Sequence, residues 1–129
     1  MTSTIRVDNF GPSAGGTTYS ARGIAKAWVN FNGTGTIAAR DSENVSSLTD
    51  NGTGDYTVNI GNDFAAADYS FTGTTKAQSA FSNELLGRLV SGKYNVSPTA
   101  SALRIVTCTT SVGLEDFDVI CITALGDLA

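Results

Sequence analysis

Six carboxylates, Asp41, Glu43, Asp50, Asp55, Asp63 and Asp68, fall in a span that contains no Lys or Arg. Two of them facing each other across a cleft would suit glycoside hydrolysis. Oxygens from Asp50, Asn51 and Asp55 would suit a calcium ion, although the helical-hand calcium loop is not matched. Nothing in the spacing singles out one pair, and a solvated acidic rim that keeps the chain soluble is the leading reading. The chain has no His, which removes the commonest general base and the Ser-His and Cys-His dyads together. Its two cysteines, Cys108 and Cys121, are too few for a zinc set and have no neighbouring charge of the kind that activates a thiol. They read as small buried apolar residues, with a disulfide between them left open. Gly33-Thr34-Gly35 and Gly52-Thr53-Gly54 neither lead to a Gly-Lys-Ser/Thr element nor open a helix, so they are turns and not phosphate loops. Ser91-Gly92-Lys93 lacks the upstream glycine as well. No catalytic residue, metal ligand or cofactor is assigned.

Aromatic side chains offer a different chemistry. Trp28, Tyr56, Tyr69 and Tyr94 would stack on a sugar if exposed, as in a lectin. Trp28 belongs to an alternating segment, which favours packing in a core or against a subunit. Four Asn-x-Ser/Thr triplets, at Asn32, Asn44, Asn51 and Asn95, read as turn chemistry.

These residues need a scaffold, and residues 26–71 supply its centre. The stretch holds the only Trp and two Asn-Gly-Thr-Gly strings. Ala27, Val29 and Phe31 alternate with Trp28, Asn30 and Asn32, and the chain turns at Gly33, Thr34 and Gly35 before returning over residues 36–40. Residues 44–47 and then Tyr56, Val58 and Ile60 flank the second turn, residues 50–54. Asn-Gly between alternating apolar runs is the strongest local sign of a hairpin, because both turn residues can take φ > 0. Two hairpins are therefore expected.

Further along, residues 64–67 read as irregular, and Tyr69 and Phe71 mark a strand ending at Gly73. In residues 74–96, Ala80, Phe81, Leu85, Leu86 and Leu89 have helical spacing interrupted by Ser, Asn and Gly87. A long loop with one helical turn or an extra strand is preferred there. Residues 102–109 and 117–124 are strong strand candidates, and the short connection 110–116 is expected to make them antiparallel neighbours. In the second, Phe117, Val119 and Cys121 fall on one face and Ile120 and Ile122 on the other. A strand apolar on both faces is buried on both, inside a sandwich or against another subunit. The N-terminal residues 1–22 read as an arm and linker: residues 4–7 allow a short strand and residues 11–16 break regular structure.

With 129 residues the chain fits one domain. Charged residues are only 16% of it, and its Gly, Ser, Thr and Asn suit strands and tight turns better than helices. The expected fold is all-β: a single antiparallel β-sandwich over residues 23–129 with seven or eight short strands, preceded by the arm. A net charge of −4 argues against nucleic acid as a partner, and no apolar run approaches the length of a membrane span. Nothing at the N-terminus reads as a secretory signal, so the chain is expected to be made in a cytoplasm.

The strings KAWVNFNGTGT, NVSSLTDNGTGDYTVNI and DYSF, with a final strand DVICITALGD, resemble the C-terminal module of bacteriophage tail fibres and related virion appendage proteins. The similarity spans about residues 23–127, and the opening Ser3-Thr4-Ile5-Arg6-Val7-Asp8 looks like the short strand that precedes such modules. It implies a non-enzymatic virion structural protein, made in the host cytoplasm, with a jelly-roll-like sandwich assembled as a homotrimer. The N-terminal part would attach to other phage structural proteins, and a host-surface glycan is the candidate ligand. The implied contact loops hold Asn32, Gly33 and Thr34, and Asn51, Gly52 and Thr53, with residues 74–96. Residues 74–96 match the pattern poorly and no long shaft is present, so head fibre, head decoration and short tail appendage all stay open. A free carbohydrate-binding, lectin-like module is the rival reading.

Overall fold

The computed structural model describes residues 9–10, 19–20, 24–76, 88–110 and 113–129. Among them there is no helix. Near the N-terminus two short strands, β1 (Asn9–Phe10) and β2 (Tyr19–Ser20), pair antiparallel. The remaining residues expected to form the arm, including residues 4–7 and 11–16, lie outside the described residues.

β3 (Ala25–Asn32) begins the main fold. Ala27, Val29 and Phe31 are buried while Trp28, Asn30 and Asn32 are half-buried, the period-two pattern of a strand with one face on the core. It pairs with β4 (Ala38–Glu43), which starts later and runs further than residues 36–40. The register slips between Asn30 and Phe31, so Arg40 is the extra residue of a bulge. Asn44, at φ 54, then turns the chain toward the second sheet, a left-handed conformation that Asn tolerates better than other side-chain-bearing residues. Its side chain accepts from the Asn62 N–H and donates to the Asn62 carbonyl. β5 (Val45–Gly52) and β6 (Asp55–Ile60) form the second expected hairpin, with Tyr56, Val58 and Ile60 facing the core.

The chain continues through β7 (Ser70–Thr75), β8 (Arg88–Gly92), β9 (Ala102–Thr109), β10 (Gly113–Leu114) and β11 (Ile120–Leu125). One sheet has the order β4-β3-β11-β7. In the other, β9 is flanked by β8 on one edge and by β6 and β10 on its opposite edge, with β5 outside β6. All pairings are antiparallel. The inner faces meet in one apolar cluster that includes Phe31, Tyr56, Leu103, Ile105, Ile120 and Ile122. Phe31 and Tyr56 meet edge to face across the gap, with centroids 5.3 Å apart. An inter-sheet cavity lined by Ala27, Val29, Val58, Leu103 and Ile122 measures about 10 Å³, no more room than one water needs.

Three sequence expectations change here. β9 and β11 are not neighbours: they lie in different sheets. The connection between them first pairs back on β9 as β10 and then crosses to the other sheet, where β11 enters between β3 and β7. A short connection fixes how far a chain travels but not which layer it lands in. Phe117 is buried together with Ile120 and Ile122, not on the face of Cys121. The strand begins at Ile120, and period-two alternation does not carry through the bend at Asp118 that precedes it. Finally, β11 is not buried on both faces within the chain, because Cys121, Thr123 and Leu125 are half-buried. Of residues 74–96, β8 is the extra strand, and it contains Leu89; the other residues with helical spacing lie outside the described residues.

Candidate functional site

The two Asn-Gly-Thr-Gly turns are drawn to one end of the molecule by a shared set of hydrogen bonds. In the first, the Asn32 side chain folds onto its own turn. Its Nδ2 donates to the Thr34 carbonyl at 2.7 Å, and its Oδ1 accepts from the Thr34 N–H at 3.2 Å and hydroxyl at 2.7 Å, the local chemistry that makes Asn a turn residue. Gly33 is buried and donates its N–H to the Phe117 carbonyl at 2.9 Å. A Cβ there would lie 2.5 Å from the Tyr56 hydroxyl and 2.8 Å from Ile120 Cδ1, so the position is closed to larger residues.

The second turn is more open at its tip. Asn51, Gly52 and Thr53 are exposed. Asp50 Oδ1 accepts from the Gly52 N–H at 2.9 Å, and Asn51 Nδ2 donates to the Thr57 hydroxyl at 2.9 Å. Its last residue, Gly54, is buried at φ +61, and a Cβ would lie 2.5 Å from the Thr107 carbonyl oxygen. The Gly54 N–H donates to Asp116 Oδ1 at 2.6 Å. The same oxygen accepts from the Tyr56 hydroxyl at 2.6 Å, and the Gly33 carbonyl lies 3.1 Å from that hydroxyl. Tyr56 has one proton to give, and the short bond to a charged acceptor takes it. Burial, and then the hydrogen bond and charge of Asp116, hold the Tyr56 phenol far above the usual tyrosine range. Thr107, also buried, completes the knot by donating its hydroxyl to the Glu115 carbonyl at 2.6 Å.

Thus Asn32, Gly33 and Thr34 spend their polar groups inside the fold, and Asn51, Gly52 and Thr53 form the outward tip. The residue that holds the second turn is Asp116, next to Phe117, whose carbonyl holds the first; the sequence reading missed Asp116. Its partners are 60 and 62 positions away, and no local pattern marks it.

On the opposite face of β6 the neighbouring residue builds an ion cluster. Asp55 accepts from Arg104 Nε at 2.8 Å and Nη2 at 3.0 Å, and from Lys93 Nζ at 2.8 Å. The Arg104 hydrogen bonds hold its carboxyl below the usual aspartate range; burial acts the other way, and Lys93 adds to the lowering. The suggested calcium set therefore does not converge: Asp55 turns to two cations, Asp50 to its own turn and Asn51 to Thr57. The other acids are dispersed, with Asp41 and Glu43 on β4 and Asp63 and Asp68 in the β6–β7 connection. Asp68 lines an open groove of about 290 Å³ with Ala65, Ala66, Tyr69, Gly126 and Asp127.

The aromatics divide. Tyr56 and Tyr69 are core residues, Tyr69 stacking on Phe64 at 4.2 Å and donating to the Ala102 carbonyl at 3.2 Å. Trp28 is half-buried on the outward side of β3, opposite Glu43 and Thr123. Tyr94 is 84% exposed in the β8–β9 turn. Cys108 and Cys121 are free and half-buried, not core residues. Each is out of phase with the buried positions of its strand, so they lie on the outer faces of opposite sheets, where no disulfide can join them. Cys108 pairs in register with Leu89 on one side and Leu114 on the other, giving an outward apolar row in which the leucines are 50% and 44% exposed.

Comparison with family models, curated proteins and solved structures finds no match to the chain.

Proposed function

We propose that the chain is a non-enzymatic structural protein of a bacteriophage virion, a tail-fibre, head-fibre or decoration-type appendage. Residues 1–22 dock on the particle. Residues 23–129 form a jelly-roll-like sandwich that assembles as a homotrimer and presents polar turns toward a host surface. The resemblance of the two hairpin strings to appendage modules motivates the reading. The observation that carries it is the outward row Leu89, Cys108 and Leu114, aligned across β8, β9 and β10. Such a cross-strand apolar row costs about 25 cal/mol per Å² while it faces water, and a neighbouring subunit that covers it removes that cost. The hydrogen bonds of Asp116 to Gly54 and Tyr56, and of Phe117 to Gly33, support the same reading, because they are used to fix two turns against each other. Several trimers on one particle would bind a surface through avidity even where each turn binds weakly.

The test is the mass of the purified chain in solution together with its presence in purified particles. A trimer found in particles supports the proposal. A stable monomer overturns the assembly, and absence from particles overturns the virion role. The exposed ring of Tyr94 favours a second reading, a monomeric carbohydrate-binding module. Glycan binding by a monomer, abolished in Tyr94→Ala, would replace the first reading with this one.

A further inference from the structure

We infer that Asn51, and not Asn32, is the position at which the folded chain deamidates through a succinimide. Asn-Gly is the sequence most open to this reaction, because a glycine nitrogen reaches the preceding side chain without hindrance from a Cβ. The chain has two such pairs, Asn32-Gly33 and Asn51-Gly52, each followed by Thr and Gly. Local sequence therefore treats them alike, and only the fold separates them.

The reaction needs the Gly backbone nitrogen to lose its proton to solvent base and attack the Asn Cγ. The N–Cγ bond forms, the Cγ–Nδ2 bond breaks, and Nδ2 leaves as ammonia after taking up a proton. Water then adds to one of the two ring carbonyls and opens the ring to aspartate or isoaspartate. No electrons are exchanged.

At Asn32 each requirement is blocked. The side chain makes three hydrogen bonds to Thr34. The Gly33 N–H is held by the Phe117 carbonyl at 2.9 Å, and Gly33 packs so closely on Tyr56 and Ile120 that not even a methyl group fits. A cyclic imide has no room there. At Asn51 the side chain and Gly52 are exposed, and nothing lies within 4 Å of a Cβ placed on Gly52. The exposed Asp50 carboxylate accepts from the Gly52 N–H, and one bond to Thr57 holds the Asn51 amide. The register also shifts between Asp50 and Gly52, so Asn51 itself has no ladder partner, and Gly52 is paired only at the very end of the hairpin, with Asp55.

Conversion places a second carboxylate beside Asp50 and removes the donor to Thr57. In the isoaspartyl product it also inserts a methylene into the backbone of the β5–β6 turn. The inference does not depend on the virion reading.

The experiment is peptide mapping by mass spectrometry of the full chain, incubated folded in mildly alkaline buffer and, in parallel, unfolded in urea. In the folded chain conversion at Asn51 is expected to exceed that at Asn32 by at least about tenfold, as a difference of two net hydrogen bonds in the opening step allows. In urea the two positions should convert at similar rates. Equal conversion in the folded chain, faster conversion at Asn32, or an Asn51 that converts only in urea would each overturn the assignment.

Discussion

Tyr56 shows how one side chain fastens two distant turns. Its ring fills the space between the sheets against Phe31, and its hydroxyl reaches Asp116 and Gly33. Tyr56→Phe keeps the ring and removes the bond, so it should cost about 1–2 kcal/mol of unfolding free energy by urea titration. The phenol also sets an alkaline limit. In the unfolded chain tyrosine ionises near pH 10, whereas Tyr56 in the fold keeps its proton well above that. The unfolded state therefore binds fewer protons above about pH 10, and stability, full below that pH, falls as pH rises further. Tyr56→Phe should flatten this fall in a pH series of melting temperatures; the part due to buried Tyr69, whose phenol is also shifted up, should remain. Gly54→Ala must both adopt φ +61 and place a methyl 2.5 Å from a backbone oxygen. It should cost more than the about 1–2 kcal/mol of the left-handed conformation alone, read by the same titration.

At the scale of the strands, Asp55 ties three elements together on the outer face: its own β6, β9 through Arg104, and the end of β8 through Lys93. Its carboxyl is held below the usual aspartate value of about 3.9. Its contribution to stability is thus fully present above about pH 4 and lost as pH falls through the lower folded value. Asp55→Asn should remove this acid limb from the pH profile. Arg104 supplies two bonds in a fork and Lys93 a single one. Arg104→Met should therefore lower the melting temperature more than Lys93→Met, and the reverse order would show that charge outweighs geometry here.

For the whole molecule, the outer face of β8, β9 and β10 has the clearest consequence. If three chains cover the row of Leu89, Cys108 and Leu114, the double substitution Leu89→Asp with Leu114→Asp should give a folded monomer, seen as a reduced mass by light scattering. The melting temperature should also lose its dependence on protein concentration. Both leucines point away from the core, so the fold itself should survive. A trimer that persists would place its contacts elsewhere, with the half-buried side of β11 and Trp28 the next surface to test.

The sequence by itself determined the all-β class, both hairpins and the inward residues of β3 and β6. These follow from a period of two and from Asn-Gly turns, which are properties of neighbouring residues. It also placed β9 at its observed bounds, residues 102–109, whereas which of its faces turns inward came from the structure. Only the tertiary structure decided that β9 and β11 part into different sheets. The choice depends on which edges are already occupied when the chain arrives, and β11 finds its place between β3 and β7. The site followed the same division. Asn32 and Asn51 stand in identical strings, yet Tyr56, Phe117 and Ile120, all far from Asn32 in the chain, pack the first turn shut, while the tip of the second stays in water.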